Sequence, residues 1–224
     1  MLNRLARYYP VLKFYKSSTL PHTILEIGSG ALGIGEFLAV SFIGVDIKFS
    51  PPFSAGNVPV YAAGSALPFR DNTFSSVLCL DTLEHVPCGQ REALLAELVR
   101  VSSKHIIVGF PFGTNAKKID MRLSAFYVRR KIELPSWLIE HTGSLYPDSS
   151  AIGTSPQIRI VQCINNENIW VHLLIMKAET YKFFNKLLTR AAHSMGTLCG
   201  WLIHVSSIGT PYRKIYILEK MNTP

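Results

Sequence analysis

Three glycines, two carboxylates and two histidines are the residues of this chain whose types and spacing could do chemistry. The glycines form Gly28-x-Gly30-x-x-Gly33, directly after the apolar run Thr23 to Ile27. Glycines there permit a tight turn and let backbone N–H groups close on a ligand. A helical pattern (Ile34, Phe37, Leu38) follows, and a helix N-terminus would add partial positive charge. The spacing alone suits any nucleotide-like ligand, dinucleotides included. Glu26 precedes the glycines by two residues. Asp46 ends the next apolar run, at the distance where an acid accepts hydrogen bonds from ribose hydroxyls. A carboxylate as close to the loop as Glu26 opposes a pyrophosphate and suits a cationic, amine-bearing ligand; its plain alternative is a strand-end acid in a solvent-facing turn.

His85 and His141 are the candidate general bases, since imidazole titrates near neutral pH. His85 follows a later apolar run and is expected at the ligand end of a strand, with Glu84 and Asp81 as alternatives; its structural role would be to orient the Val86-Pro87 turn. His141 lies in Trp137-Leu-Ile-Glu140-His141-Thr-Gly143. Trp137, Leu138 and His141 share one helical face, so His141 could enter a pocket walled by Trp137. A surface helix whose tryptophan packs on the core is the competing reading.

The elements that must position these residues follow from burial patterns. Thr23 to Ile27, Phe42 to Ile47, Ser76 to Leu80 and His105 to Phe110 are short apolar runs without alternation, the pattern of strands buried on both faces. Arg91 to Val101, with Leu94, Leu95, Leu98 and Val101 on one face, is a predicted helix between the last two. Strand, helix, strand implies a parallel sheet with right-handed crossovers. Val58 to Ala62 adds a strand, and the connection before it holds Pro51 and Pro52 and leaves little room for a helix. Ile158 to Ile164 and Tyr212 to Leu218 are predicted strands. Between them Asn168 to Ala192 reads as one long helix or two short ones. No repeat or low-complexity linker interrupts the chain, so a single domain over residues 1–224 is expected.

Composition narrows the partners. With 48% hydrophobic and 17% charged residues the chain suits a packed globule rather than a disordered one. The net charge of +8 favours an anionic partner or substrate, or simply a solvated basic surface. The stretch Lys117 to Lys131 concentrates basic residues around Phe126 and Tyr127 and reads the same two ways. The four cysteines show neither zinc spacing nor a disulfide framework, so no metal site and a reducing, cytoplasmic setting are expected. Met1 to Ser18 lacks the apolar core of a secretory signal. Its basic and aromatic residues suit either a peripheral membrane contact or a helix that closes over the pocket.

The motifs together resemble the class I S-adenosylmethionine-dependent methyltransferases, those with the type 11-like domain. Glu26-Ile-Gly28-Ser-Gly30 is similar to their first motif and Gly44-Val-Asp46 to their second. Gly64-Ser65-Ala66-Leu67-Pro68-Phe69, with Asp71 and Phe74, resembles the third. Val77-Leu-Cys-Leu-Asp81-Thr-Leu-Glu84-His85-Val86 resembles the fourth. The four cover roughly residues 23–112. Three departures stand out: Leu32 where many members have glycine, Ser65 in place of the usual acid, and Ser75-Ser76 in place of Phe-Asp.

The resemblance implies a Rossmann-like, doubly wound α/β fold, with a mostly parallel seven-stranded sheet and a helical insertion after the fifth strand. It implies an N-terminal helical segment over residues 1–20 and substrate-covering elements at 113–155 and 165–210. S-adenosylmethionine would be the cofactor. The backbone at Gly28 and Gly30 would approach its methionine moiety, with Glu26 supporting the loop or the amine. Asp46 would take the ribose hydroxyls and Ile47 would lie against adenine. Ser65 and Ala66 would flank the adenine edge, and Leu80 and Asp81 would line the floor near the sulfonium. Methyl transfer to a small-molecule, glycan- or lipid-linked acceptor, at oxygen and with His85 or His141 as base, is the expected activity. The alternatives are a non-catalytic binding module and a nicotinamide-dependent oxidoreductase. Nucleic acid is disfavoured, since neither an RNA-binding appendage nor an Asn-Pro-Pro-Tyr-type motif is present.

Overall fold

The apolar runs become the middle of a seven-stranded sheet. In the computed structural model, which describes residues 2–17, 23–152, 155–181 and 207–221, the strands are β1 (Ile24–Ile27), β2 (Phe42–Asp46), β3 (Asn57–Tyr61), β4 (Phe74–Leu80), β5 (Ser102–Pro111), β6 (Ile158–Asn168) and β7 (Pro211–Lys220). Their order is β3-β2-β1-β4-β5-β7-β6. The first five are mutually parallel, and β7 runs antiparallel to both β5 and β6. The central strands lack alternation because both of their faces are covered. Leu25, Ile27, Val77, Cys79, Ile106 and Val108 turn to one core with Leu94 and Leu98, while Ile24, Leu78, Leu80 and Ile107 turn to the other.

The helices are α1 (Leu2–Ser17), α2 (Cys88–Val101), α3 (Gly113–Arg129), α4 (Ser136–Gly143) and α5 (Ile169–Glu179). The first core lies under α2. The second is closed by α1, through Tyr8, Val11 and Tyr15. This use of α1 follows from a difference with the sequence expectation. The glycine loop runs not into a helix but into a four-residue 3-10 turn, Gly33–Glu36. Two glycines in four residues disfavour the longer helix, and α1 covers the face it would occupy, with Tyr8 and Phe37 ring centroids 5.3 Å apart. Tyr8, Val11 and Tyr15 of α1 are therefore committed to the sheet. Ser76, one of the departures noted above, has a place here: its hydroxyl and that of Tyr15 are 2.6 Å apart in the buried interface between β4 and α1.

The β2–β3 connection contains no helix, as its prolines require. The predicted helix from Asn168 is observed as α5; the part of that prediction over 182–192 lies outside the described residues. The segment 113–155 contains α3 and α4, which form a third apolar cluster with α5, built on Ala116, Ile119, Leu123, Leu138, Leu173, Met176 and Tyr212. Among the described residues no helix is long and apolar enough to cross a membrane.

Candidate active site

The strand order reverses between β1 and β4, and the carboxyl ends of strands at such a reversal form a crevice where α/β proteins bind ligands. One side of this crevice is the glycine loop. Gly28, Gly30 and Gly33 all adopt positive φ. Gly28 N–H donates to the Val45 carbonyl at 2.8 Å and Gly33 N–H to the Ser29 carbonyl at 3.1 Å. Asp46 sits at the end of β2 and accepts from Gly30 N–H at 2.9 Å and Lys48 N–H at 3.2 Å, which ties the second motif to the first. Asn57, which no motif singled out, donates from Nδ2 to the carbonyls of Gly30 and Ala31 at 3.2 and 3.0 Å and fixes the loop from the β3 side. Ile47 is largely exposed just past Asp46, while Ala66 is exposed and Ser65 half-buried in the turn after β3. That turn is held by α2: Glu97 accepts from Leu67 N–H at 2.7 Å, and Arg100 donates to the Phe69 carbonyl at 2.7 Å.

Of the two roles the resemblance implies for Glu26, the structure shows support of the loop. It is neither a solvent-facing acid nor a group turned toward a ligand amine. Its carboxylate lies under the loop, where it accepts from Tyr8 O–H at 2.5 Å and Ile34 N–H at 2.7 Å. Burial drives its pKa up to about 7, against the hydrogen bonds from Tyr8 and Ile34. Gly33 leaves the room it needs, since a Cβ there would stand 2.6 Å from Glu26 Oε2.

The loop is equally intolerant at Gly28. A Cβ at that position would lie 2.0 Å from Thr82 Oγ1 on a backbone with φ of +70°. Gly28→Ala is expected to lower stability by roughly 1–3 kcal/mol, from strain and overpacking combined. It should also displace the loop from its ligand. Urea unfolding and ligand titration of the variant check both effects.

The other side of the crevice is a polar cluster around a cavity of about 460 Å³, whose lining includes Arg7, Asp81, Glu84, His85, Trp137, His141 and Arg213. Asp81, with φ of +47°, directly follows β4. It accepts the Arg213 fork at 2.5 and 2.6 Å and is ion-paired with Arg7 at 2.9 Å. Burial alone would raise its pKa, but the two guanidinium groups outweigh this and lower it to about 2. Because β7 is antiparallel to β5, Arg213 pairs with Pro111 at the carboxyl end of β5 and reaches Asp81 from there. Leu80 is buried in the second core, one residue inside this floor.

His85 closes a short 3-10 turn, Leu83–His85, which is held open to the cavity by Arg91. That side chain donates to the carbonyls of Val86 and Leu145 at 2.9 and 2.7 Å. The structure brings His85 and His141 together, with 3.4 Å between their Nε2 atoms. Each Nδ1 meets a carboxylate: Glu140 for His85 at 2.6 Å, and buried Asp120 for His141 at 2.9 Å. Carboxylates accept only, so both rings are held as Nδ1–H tautomers with their Nε2 lone pairs facing one another. Burial, then the neighbouring His141, lowers the His85 pKa. Trp137 is the expected wall, with its ring centroid 5.2 Å from that of His141. Asp120 also accepts from Tyr146 and, at 2.9 Å, from Tyr212.

Asp120 and Arg213 carry much of this arrangement and were not singled out from sequence. Asp120 sits among Ala116, Ile119 and Leu123 on the buried face of α3, and an acid at a core-facing helical position is a signal that could have found it. Arg213, a charge just ahead of the apolar run Ile215 to Leu218 of β7, is another. The basic stretch on α3 divides: Lys117 donates to the Ser144 carbonyl at 2.8 Å and Arg122 lies over Trp170, while Lys118, Arg129, Arg130 and Lys131 are exposed.

A smaller cavity of about 220 Å³ adjoins the glycine loop, lined by residues that include Ser29, Gly30, Leu32, Arg4 and Arg7. The last two also line the larger cavity, so the two spaces share a wall at the start of α1. A ligand anchored at the glycine loop would point its far end toward the histidine pair. Gly30 faces open space, with no atom within 4 Å of a Cβ built there, and Asp46 retains lone pairs at the edge; these residues fit an adenosyl cofactor.

Comparison with known proteins agrees with this geometry. Residues 25–105 match the family model described as a methyltransferase domain. No curated protein sequence matches the chain. Among solved structures, a putative sarcosine dimethylglycine methyltransferase from Galdieria sulphuraria superposes with a TM-score of 0.54 at 12% identity, over 98% of this chain and 86% of that one. Magnesium protoporphyrin IX methyltransferase from Synechocystis, solved with bound S-adenosylhomocysteine, gives 0.53 at 10% identity, over 98% and 82%. A [4+2]-cyclase gives 0.51 at 14% identity, over 96% and 80%. At such identities the structures show the shared fold, which by itself admits more than one chemistry. The segment 25–105, which holds the glycine loop, Asp46 and the Asp81–His85 turn, is the part of the chain that matches the methyltransferase domain model.

Proposed function

We propose that the chain binds S-adenosylmethionine across the glycine loop and transfers its methyl group to an acceptor oxygen in the larger cavity. The observation that carries this reading is the pairing of the loop-bound acid, Asp46 accepting from Gly30 N–H, with two Nδ1-anchored imidazoles at the carboxyl end of the same sheet. When bound, the cofactor supplies an already activated methyl group, so the chain's own work is placement and proton handling. Asp46 would accept from the ribose hydroxyls with its remaining lone pairs. The backbone of Gly28 and Gly30 would bear the methionine end, and Arg4 or Arg7 would meet its carboxylate. Trp137 would wall the acceptor, and the Nε2 of His85 or His141 would take the hydroxyl proton. The acceptor class that suits this cavity is a small molecule, or the exposed end of a glycan- or lipid-linked one, carrying an anionic group for Arg4 or Arg7.

Calorimetric titration with S-adenosylhomocysteine tests the cofactor half. Micromolar binding is expected, with no binding of a nicotinamide dinucleotide. Asp46→Ala should weaken it by ~1.4–2.7 kcal/mol, roughly 10- to 100-fold, through lost charged hydrogen bonds and a loosened Gly30. Absence of binding at millimolar ligand would overturn the reading.

A further inference from the structure

The geometry points to a divalent transition-metal site, of the zinc class, built by Glu84, His85 and His141 at the floor of the larger cavity. Among the described residues these three alone place one ligand atom each within 4.8 Å of one another. The two Nε2 atoms are 3.4 Å apart, and His141 Nε2 is 3.7 Å from Glu84 Oε1. Four-coordinate zinc holds nitrogen and oxygen ligands at about 2.0–2.2 Å, which makes each edge of its tetrahedron ~3.3–3.6 Å. Two of the three edges therefore already stand near the separation that an ion would impose.

Two further observations point to a cation at this spot. Glu84 is only 2% exposed, and neither carboxylate oxygen has a hydrogen-bond partner among the described residues. Asp81 and Asp120, by contrast, are met by donors: Asp81 by the Arg213 fork, with Arg7 ion-paired to it, and Asp120 by His141 and two tyrosines. A buried carboxylate without donors is costly unless a cation faces it. The imidazoles, in turn, carry the outer support that metal-bound histidines show. Each donates Nδ1–H to a carboxylate, Glu140 or Asp120, which directs the Nε2 lone pair to the shared point. Two lone pairs at 3.4 Å repel one another until a proton or a metal ion lies between them.

Three protein ligands leave a fourth position open to the cavity, the arrangement of a reactive rather than a purely structural site. With the ion seated, His85 and His141 no longer serve as free bases, and an acceptor oxygen would be held on the metal. That consequence rests on the function proposed above; the binding of metal does not.

The test is titration of the chelator-treated, tag-free chain with Zn²⁺, and with Co²⁺ as a spectroscopic reporter. One equivalent per chain and the visible absorption of four-coordinate Co²⁺ are expected. His85→Ala, at a partly exposed position that tolerates truncation, should abolish stoichiometric binding. Glu84→Gln should also weaken binding, and Glu140→Ala, at an exposed residue, should lower affinity ~10- to 100-fold. Binding of S-adenosylhomocysteine by the metal-free chain and by His85→Ala is measured in parallel. Retained nucleoside binding without stoichiometric metal would overturn the metal site while leaving the cofactor reading intact. Metal binding unchanged in His85→Ala and Glu84→Gln would overturn it as well, as adventitious binding elsewhere. Stoichiometric, variant-sensitive metal without nucleoside binding would support the site and count against the methyl-transfer reading.

Discussion

Arg213→Ala is expected to destabilise the chain by about 3–5 kcal/mol, a large share of the 5–15 kcal/mol that ordinarily separates folded from unfolded domains. The guanidinium is fully buried and uses its fork on Asp81, while its other donors reach Asn166 at 2.8 Å, Asn3 at 3.2 Å and Glu167 at 3.5 Å. Removing it leaves Glu167 and Asp81 inside the protein with less positive charge to meet them, Arg7 alone remaining on Asp81. The cost is that of an uncompensated buried charge rather than the net worth of the pair. Arg213→Lys should recover less than half of the loss, because an ammonium cannot engage both Asp81 oxygens and Asn166 from one plane. Urea unfolding at neutral pH measures both variants. A loss below about 1 kcal/mol for Arg213→Ala would show that the cluster is not held together by this side chain.

The second large effect is a dependence on pH that starts at Glu26. Burial raises this carboxyl from 4.5 to about 7, so the folded chain keeps the proton over a range in which the unfolded chain has released it. A raised folded pKa means that the group's contribution is fully present below about 4.5 and is lost as pH rises through about 7. The difference amounts to ~3 kcal/mol. Glu26→Gln removes the titration while keeping the geometry, since the amide oxygen can accept from Ile34 N–H and the amide nitrogen can donate to Tyr8. The variant should match the natural chain at pH 4.5 and exceed it by up to ~3 kcal/mol at pH 8, read as the difference between two urea series. A gap that does not change with pH would show that Glu26 ionises in the fold as readily as in solution.

How far the sequence alone reached can be judged element by element. The central strands are legible because a strand buried on both faces has no polar position to spare, and Ile24 to Ile27 or Val77 to Leu80 show that directly. The four motifs lie in one stretch of chain, and the match of residues 25–105 to a methyltransferase domain reflects the same short-range information. The reading of Ile34, Phe37 and Leu38 as a helix failed for a long-range reason: α1, from far upstream, covers that face, and a turn suffices beneath it.

By itself, then, the amino-acid sequence determined the central strands in their order along the chain, the glycine loop, Asp46 at the end of the second strand and His85 after the fourth, because each is written in neighbouring residues as a pattern of burial or backbone freedom. Only the tertiary structure decided that Glu26 lies beneath the loop instead of facing a ligand. It alone brought His85 against His141 across 56 positions and placed Arg213 on Asp81 across 132. Such meetings leave no local periodicity. They are selected by the need to compensate buried charge, and which partner supplies the compensation depends on where the packed helices and the antiparallel β7 bring it.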